Sequence, residues 1–197
     1  MKIVVISGTP GTGKTTVSKR ISEIINAEVI SLNELAISKN FTLKYDKERE
    51  THIVDFERLS PYIIEQIDIF KKENVNVLLI EGHFSDIVPD NLIDFAIILR
   101  CNPDILYKRL LIRGYKRRKI IENIQAEILG NCANYMLQKK IKTPILEIDT
   151  SNLSIDNIAQ IIIDLISNGN RLENYILGKI DWLENLSQNN RLKEYFD

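Results

Sequence analysis

The stretch that decides the fold is KIVVISGTPGTGKTT, residues 2–16. Its apolar first half predicts a buried β-strand, and its second half fits the phosphate-binding loop pattern G-x-x-x-x-G-K-[ST]. In such a loop the backbone N–H groups point inward at a polyphosphate, and the helix that follows directs the positive end of its dipole at the same anion. The order of strand, loop and helix therefore predicts a nucleotide-binding α/β domain.

Five residues of this loop are candidate ligands of ATP. Gly11 and Gly13 give the backbone the freedom to approach phosphate oxygens closely. Lys14 supplies a positive charge for the β- and γ-phosphates, which also makes it a candidate catalytic residue. Thr15 has a hydroxyl where it can coordinate Mg²⁺, and Thr16 is expected to contact the α-phosphate.

The composition is that of one globular domain of 197 residues, with 26 Lys and Arg against 27 Asp and Glu. This balance gives no strong indication of a nucleic-acid partner or a membrane surface. Cys101 and Cys132 stand far apart without metal-ligand spacing, which favours a reducing compartment. The first residues form a core strand rather than a signal peptide, and no apolar run is long enough to span a membrane. We therefore expect a cytoplasmic location.

Continuous apolar runs rich in β-branched residues recur along the chain, with helical patterns between them. Such runs are typical of parallel strands that are buried on both faces. The pattern predicts a three-layer α/β fold of the P-loop NTPase type with a parallel central sheet. The predicted strands are residues 3–6, 28–30, 75–80, 95–99 and 145–148.

Two further segments are expected to border the nucleotide. Residues 40–55 are polar and lack apolar periodicity, which predicts a mobile insertion over the site or a solvated loop without function. A helix is predicted to run to Arg113, where Gly114 ends it, and the basic run 116–119 begins a second helix. These cations form either a solvated face or a lid for phosphates. The second helix is predicted to be amphipathic, with Ile121, Ile124, Ile128, Cys132 and Tyr135 on one face.

An acidic residue and a histidine follow the predicted strand at 75–80, in the order Glu81-Gly82-His83. A carboxylate at the end of an apolar strand beside a phosphate loop is the usual second element that holds Mg²⁺. Thr15 and Glu81 are therefore the candidate metal ligands, although Asp is commoner in this position. His83 stands where ligands bind in open α/β sheets, so it could polarise an attacking water or hydroxyl, contact a phosphate or be structural.

Catalysis of phosphoryl transfer depends on positioning of the reactants and on positive charge, and it needs no covalent intermediate with the protein. Lys14, Mg²⁺ and Arg113 could supply that charge. A cation in a turn that closes over bound nucleotide would also exclude water and suppress hydrolysis. The candidate catalytic residues are therefore Lys14, His83 and Arg113, and the pattern favours a kinase with a lid over a simple ATPase.

Several motifs in order along residues 1–167 resemble the adenylate kinase isoenzyme 6 family. After the phosphate loop come EGH at 81–83, LYKRL at 106–110, RGY at 113–115 and ENIQAEI at 122–128. Archaeal members of this family carry the name adenylate kinase, and its eukaryotic members are nuclear ATPases and ribosome-assembly factors. The resemblance implies a nucleoside monophosphate kinase-like fold and ATP binding through the five loop residues named above.

The resemblance also assigns regions within a single domain, residues 1–197. It implies a mobile monophosphate-binding segment at about 31–54, a lid at about 112–122 headed by Arg113, and a loop in which Asn152 borders the adenine ring. Ile37 stands where the family often has an arginine, which leaves Lys39, Arg49 or Arg58 to hold the acceptor phosphate.

Residues 170–197 exceed what the kinase core needs. Their apolar residues lie at helical spacing, which predicts a helical extension packed on the core or on a partner. The residues with this spacing are Leu172, Ile176, Ile180, Leu183 and Leu186.

The expected function is Mg²⁺-dependent transfer of the γ-phosphate of ATP to a nucleoside monophosphate, AMP being the expected acceptor, with slow ATP hydrolysis beside it. The resemblance also implies an alternative, an ATP-driven switch that binds a platform protein of the small ribosomal subunit during late maturation. The missing arginine at Ile37 favours the switch, whereas the basic lid favours the kinase. A small-metabolite kinase is disfavoured by the RGY context.

Overall fold

The computed structural model describes residues 1–49, 51–168 and 172–196, in which seven strands and nine α-helices occur. The strands are β1 (Lys2–Ser7), β2 (Glu28–Ser31), β3 (Thr42–Asp46), β4 (Thr51–Val54), β5 (Val77–Glu81), β6 (Phe95–Arg100) and β7 (Ile145–Asp149). The helices are α1 (Lys14–Ile25), α2 (Leu32–Ser38), α3 (Phe56–Lys72), α4 (Pro103–Ile112), α5 (Arg117–Ile128), α6 (Asn131–Gln138), α7 (Ile155–Asn168), α8 (Trp182–Gln188) and α9 (Lys193–Phe196).

The central sheet has the strand order β2-β5-β1-β6-β7, and every neighbouring pair is parallel. All five strands that the sequence predicted are present, with ends that differ by at most two residues. Because the strands are parallel, their carboxyl ends meet at one edge of the sheet. That edge receives the phosphate loop after β1 and Glu81 at the end of β5.

Helices cover both faces of this sheet. On one face, Val17 and Ile21 of α1 are buried with Ile6 of β1 in an apolar cluster to which α7 also contributes. On the opposite face, Leu59 and Ile63 of α3 belong to a second buried cluster. A parallel sheet between two helical layers is the three-layer α/β arrangement, so the predicted fold class is confirmed.

Residues 40–55 contain regular strands where the sequence predicted an irregular segment. β3 and β4 form an antiparallel hairpin, in which Tyr45 lies opposite His52. Leu43 and Tyr45 are 66% and 50% exposed. Because neither face of the hairpin is buried in the core, no alternation of apolar and polar residues marks its strands.

The amphipathic helix predicted from the basic run 116–119 to Tyr135 is divided in the structure. α5 ends at Ile128, and Gly130, with a φ of 64°, turns the chain into α6. Ile128 is buried, but Tyr135 is 47% exposed, so the predicted apolar face does not continue through α6.

Residues 172–196 pack on the chain's own core. Leu186 and Tyr195 are buried in a third cluster with Leu106 of α4 and Ile120 of α5. This packing places the carboxyl-terminal helices against the two helices that flank the predicted lid.

The extension is less helical than its apolar spacing predicted. Leu172–Asn174 is a short 3₁₀ turn, and Ile176 forms an isolated bridge with Leu146 of β7. Residues 170, 171 and 197 of the predicted extension lie outside the described residues. In the part of the chain that the structure describes, no helix is both long and apolar enough to cross a membrane.

Candidate active site

The phosphate loop links β1 to α1 at the carboxyl edge of the sheet. Gly11 has a φ of 97°, and a Cβ there would lie 2.7 Å from Cδ1 of Leu106. Gly13 has a φ of 104° and caps the amino end of α1 without a side chain. A positive φ favours glycine, and the absence of a capping side chain leaves the first N–H groups of α1 open to an anion.

Lys14 lies buried within the loop, 7% exposed. Its Nζ donates hydrogen bonds to the carbonyl oxygens of Gly8, at 2.7 Å, and Thr9, at 3.2 Å. Burial lowers the pKa of Lys14, and the nearby Arg113 lowers it further, while Glu81 is among the acidic groups that oppose this shift. The loop therefore encloses a cationic side chain that carbonyl oxygens hold in place.

Thr15 and Glu81 are in direct contact. Thr15 Oγ1 donates to Glu81 Oε1 at 3.0 Å, and the Glu81 side chain is almost fully buried at the end of β5. Mg²⁺ prefers oxygen ligands and is usually bound by one or two protein groups together with water and substrate phosphates. No group of three or more metal-ligating side chains occurs among residues 1–49, 51–168 and 172–196. The hydroxyl and carboxylate therefore fit an Mg²⁺ ion that arrives with a nucleotide.

His83 lies two residues beyond Glu81, just past the carboxyl end of β5, and the residue as a whole is exposed. The ring packs edge-on against Phe84, with 4.7 Å between centroids. Loss of hydration among its neighbours, together with the charges of Lys14 and Lys119, lowers the pKa of His83 to about 4. The imidazole is therefore neutral at pH 7, with one ring nitrogen that donates a hydrogen bond and one that accepts.

Arg113 caps the carboxyl end of α4 and is exposed to solvent. Its charge contributes to the lowered pKa of Lys14, so the guanidinium lies within electrostatic reach of the phosphate loop. Gly114 follows with a φ of 76° and separates α4 from α5. The predicted position of Arg113 at a glycine turn beside the loop is the one observed.

Thr16 and Asn152 are both exposed, the first in the opening turn of α1 and the second in the loop after β7. The loop after β7 contacts the phosphate loop, because Thr150 Oγ1 donates to the carbonyl oxygen of Thr12 at 3.0 Å. Arg109 of α4 also holds this loop, donating to the Thr150 carbonyl oxygen at 2.6 Å. In the sequence Arg109 stood only within the LYKRL motif at 106–110, and nothing there indicated this contact.

The tip of the β3–β4 hairpin meets the amino-terminal end of α5. Arg118 and Glu48 form an exposed ion pair at 2.8 Å. Beside this pair is a cavity of about 100 Å³, and one of its lining residues, Lys119, also lowers the pKa of His83. The cavity therefore lies between the hairpin, the predicted lid and the mouth of the site. Its lining residues are Lys47, Glu48, Arg49, Lys116, Arg118, Lys119 and Glu122.

Comparison with known proteins identifies the family. A family model described as "AAA domain" matches residues 4–130. Over 181 residues the chain is 37% identical to a "Putative adenylate kinase" of Methanocaldococcus jannaschii, covering 92% of this chain and 93% of that protein. The chain belongs to this adenylate kinase family. The resemblance stated from the motifs is thereby confirmed.

Two further proteins support the family and the fold. A "Putative adenylate kinase" of Thermococcus onnurineus is 35% identical over 182 residues, with 92% of each chain covered. A shikimate kinase from Acinetobacter baumannii, solved in complex with shikimate, superposes with a TM-score of 0.61. It is 14% identical, and the match covers 87% of this chain and 96% of that chain. This structural likeness shows the kinase fold alone.

The three candidates for the acceptor phosphate in this adenylate kinase family member differ in their surroundings. Lys39 Nζ lies 5.9 Å from the centroid of the Tyr62 ring. Arg58 lies 5.2 Å from the centroid of the Phe41 ring and donates to a backbone carbonyl. Arg49 lines the cavity between the hairpin and α5. Lys39 and Arg58 are therefore engaged at the base of the hairpin, whereas Arg49 faces the predicted lid.

Sequence reasoning missed a buried ionic network behind the phosphate loop. Arg100 at the end of β6 forms ion pairs with Glu127 of α5, at 2.8 Å, and Glu147 of β7, at 3.2 Å. All three side chains are at most 5% exposed. One indication was present in the sequence, because Glu147 interrupts the apolar run 145–148, and a charged side chain in such a run needs a buried partner.

Proposed function

We propose that this chain is a nucleoside monophosphate kinase that transfers the γ-phosphate of ATP to AMP in the presence of Mg²⁺. The observation that carries the proposal is the Thr15–Glu81 contact beside the Lys14 ammonium, in a member of the adenylate kinase family. Phosphoryl transfer passes through a loose transition state whose catalysis is mostly positioning and charge stabilisation. A cationic loop with an oxygen pair for Mg²⁺ supplies both.

The phosphates of ATP would lie against the loop backbone at Gly11 and Gly13 and the first turn of α1. In this proposal the Lys14 ammonium keeps its hydrogen bonds to the two carbonyl oxygens and directs its third N–H at the β- and γ-phosphates, and Thr16 contacts the α-phosphate. Bound Mg²⁺ would neutralise charge that develops on the phosphate oxygens, held by Thr15 and Glu81. The loop containing Asn152 would border the adenine ring.

The acceptor would bind between the hairpin and α5. Arg49 is the best-supported ligand for its phosphate, because it lines the cavity there while the two other candidates are held at the hairpin base. Arg113 would approach from the other side of the phosphate loop and stabilise charge in the transition state. The Arg118–Glu48 pair would help to bring lid and hairpin together over the substrates.

His83 supports a second activity, ATP hydrolysis. A neutral imidazole close to Lys14 can orient a water molecule without carrying charge itself. Ile37, which is 53% exposed, leaves no cation where the family often has one. These two features favour the alternative proposal, an ATP-driven switch that acts with a platform protein of the small ribosomal subunit. The free thiols of Cys101 and Cys132 support a reducing, cytoplasmic location in either case.

A coupled assay of ADP formation separates the two functions. Purified protein is incubated with Mg²⁺ and ATP, with and without each nucleoside monophosphate, and the Lys14→Ala variant serves as the inactive control. We expect AMP to raise the rate of ADP formation by at least about a hundredfold, since a committed kinase suppresses hydrolysis. A rate that no monophosphate raises would support the switch instead.

A further inference from the structure

Glu127 contacts the phosphate loop from behind. One of its oxygens, Oε2, accepts a hydrogen bond from Thr9 Oγ1 at 2.6 Å. The other, Oε1, accepts from Arg100 Nε at 2.8 Å and from the backbone N–H of Cys101 at 3.0 Å. Glu127 is 2% exposed, so these three donors replace water around its charge.

Thr9 is in turn one of the two residues whose carbonyl oxygens hold Lys14, the other being Gly8 at 2.7 Å. The Thr9 carbonyl oxygen accepts from Lys14 Nζ, at 3.2 Å, and from the Thr12 hydroxyl, at 2.9 Å. The side chain of Thr9 is therefore fixed by Glu127, and its backbone orients two other residues of the loop. A displacement of Thr9 would disturb one of the two carbonyl contacts that position the Lys14 ammonium.

The network continues to the carboxyl-terminal extension. Arg100 also pairs with Glu147, whose Oε1 accepts backbone hydrogen bonds from Gly178, Lys179 and Ile180 at 3.0, 2.6 and 2.7 Å. Arg100 Nη1 donates to the Ile180 carbonyl oxygen at 3.2 Å. A continuous series of buried and partly buried hydrogen bonds thus joins the turn at 178–180 to the phosphate loop.

We propose that Glu127 is a positioning residue for ATP, and that the extension helps to set the geometry of the phosphate loop through Glu147, Arg100 and Glu127. A buried ion network is weak evidence for stability, because well-packed apolar residues often stabilise a fold equally well. What apolar residues cannot supply is a hydrogen-bond acceptor at Thr9. The proposal rests on the proposed function only in that the loop binds ATP.

The test compares three variants for affinity, turnover and melting temperature. Thr9→Val removes the hydroxyl with little change in volume, and Thr9→Ser retains it. Glu147→Gln removes the charge at the far end of the network, and among the described residues Glu147 has no hydrogen bond to the loop. We measure the Kd of Mg·ATP by calorimetry, the KM values of ATP and AMP, and Tm.

We expect Thr9→Val to weaken ATP binding about tenfold, the effect of one hydrogen bond to a charged group, with the KM for AMP unchanged. Thr9→Ser should restore the affinity, and Glu147→Gln should weaken ATP binding in the same direction as Thr9→Val. If the network were purely structural, the variants would have a lower Tm and a lower kcat, because less of the protein would be folded, while the Kd and the KM of ATP would stay unchanged. That result would overturn the proposal. Calorimetry measures ATP binding without turnover. If the wild-type protein binds ATP but shows no AMP-dependent activity, the proposed kinase function is contradicted, while the effect of Thr9 on ATP binding can still be measured.

Discussion

Replacement of Arg113 by alanine should separate catalysis from binding. Arg113 is exposed at the end of α4, and its charge lowers the pKa of Lys14, so it acts on the phosphate loop from a solvent-exposed turn. Loss of one electrostatic donor to a transition state costs about 3 kcal/mol. At about 1.4 kcal/mol for each factor of ten, kcat should fall about a hundredfold.

The fold should tolerate this change. Arg113 makes no hydrogen bond or ion pair through its side chain within the described ranges, and exposed substitutions of this kind alter stability by about 0.5 kcal/mol or less. Arg20→Ala is the matched control. Arg20 is an arginine of α1 whose side chain is 41% exposed, and its ion pairs with Glu23 and Asp156 lie outside the lid. We expect the control to retain both wild-type turnover and wild-type ATP affinity.

The assay pairs steady-state kinetics with calorimetric binding of Mg·ATP. For Arg113→Ala we expect a large fall in kcat with the Kd of ATP changed less than about threefold, since the interaction strengthens only as charge develops in the transition state. A Kd that rises in step with the loss of rate would refute this reasoning and make Arg113 a ground-state ligand of ATP.

Three further changes test the remaining site residues. Lys14→Ala should abolish both phosphoryl transfer and hydrolysis while circular dichroism shows a folded protein; turnover near the wild-type rate would contradict the loop assignment. Arg49→Ala should raise the KM for AMP about tenfold or more without changing that for ATP, whereas the control Lys39→Ala should change neither; equal effects of the two would remove Arg49 from the acceptor site. His83→Gln should slow hydrolysis more than transfer. The folded protein lowers the pKa of His83 from 6.5 to about 4. As the pH falls from 6.5 to about 4, His83 is therefore protonated in the unfolded chain before it is protonated in the folded protein, and the free energy of unfolding decreases. The Tm of wild type should therefore drop more between pH 7 and pH 5 than that of His83→Gln, and parallel curves would count against a neutral His83.

The sequence predicted those parts of the fold whose environment leaves a local pattern. The strands of the central sheet are apolar throughout because helices cover both faces, as at Leu78, Leu79 and Ile80, each fully buried. The β3–β4 hairpin has no such cover, so Leu43 and Tyr45 stand in solvent and the strands show no periodicity. The spacing of apolar residues predicted one continuous helix through Gly130, but the chain turns there. Apolar spacing indicates which side chains share a face, and it does not indicate a positive φ such as that of Gly130.

Those residues of the candidate site that lie within one short motif could be predicted from the sequence. The loop residues, Glu81 and Arg113 each follow an element that the pattern had already located. Arg100 pairs with Glu127 and Glu147, which lie 27 and 47 positions away on other helices and strands. Spacing along the chain does not reveal such pairings. Arg49 could not be preferred over Lys39 and Arg58 from sequence, since the difference lies in which aromatic ring or cavity each side chain contacts.

Product analysis after a single incubation tests the central claim most directly. Protein, Mg²⁺, ATP and AMP are combined in equal nucleotide amounts, and ³¹P NMR follows ATP, AMP, ADP and inorganic phosphate together. Transfer from ATP to AMP predicts two ADP formed for each AMP consumed, with no inorganic phosphate released on the same timescale. Equal release of ADP and inorganic phosphate, with AMP left unchanged, would contradict the kinase.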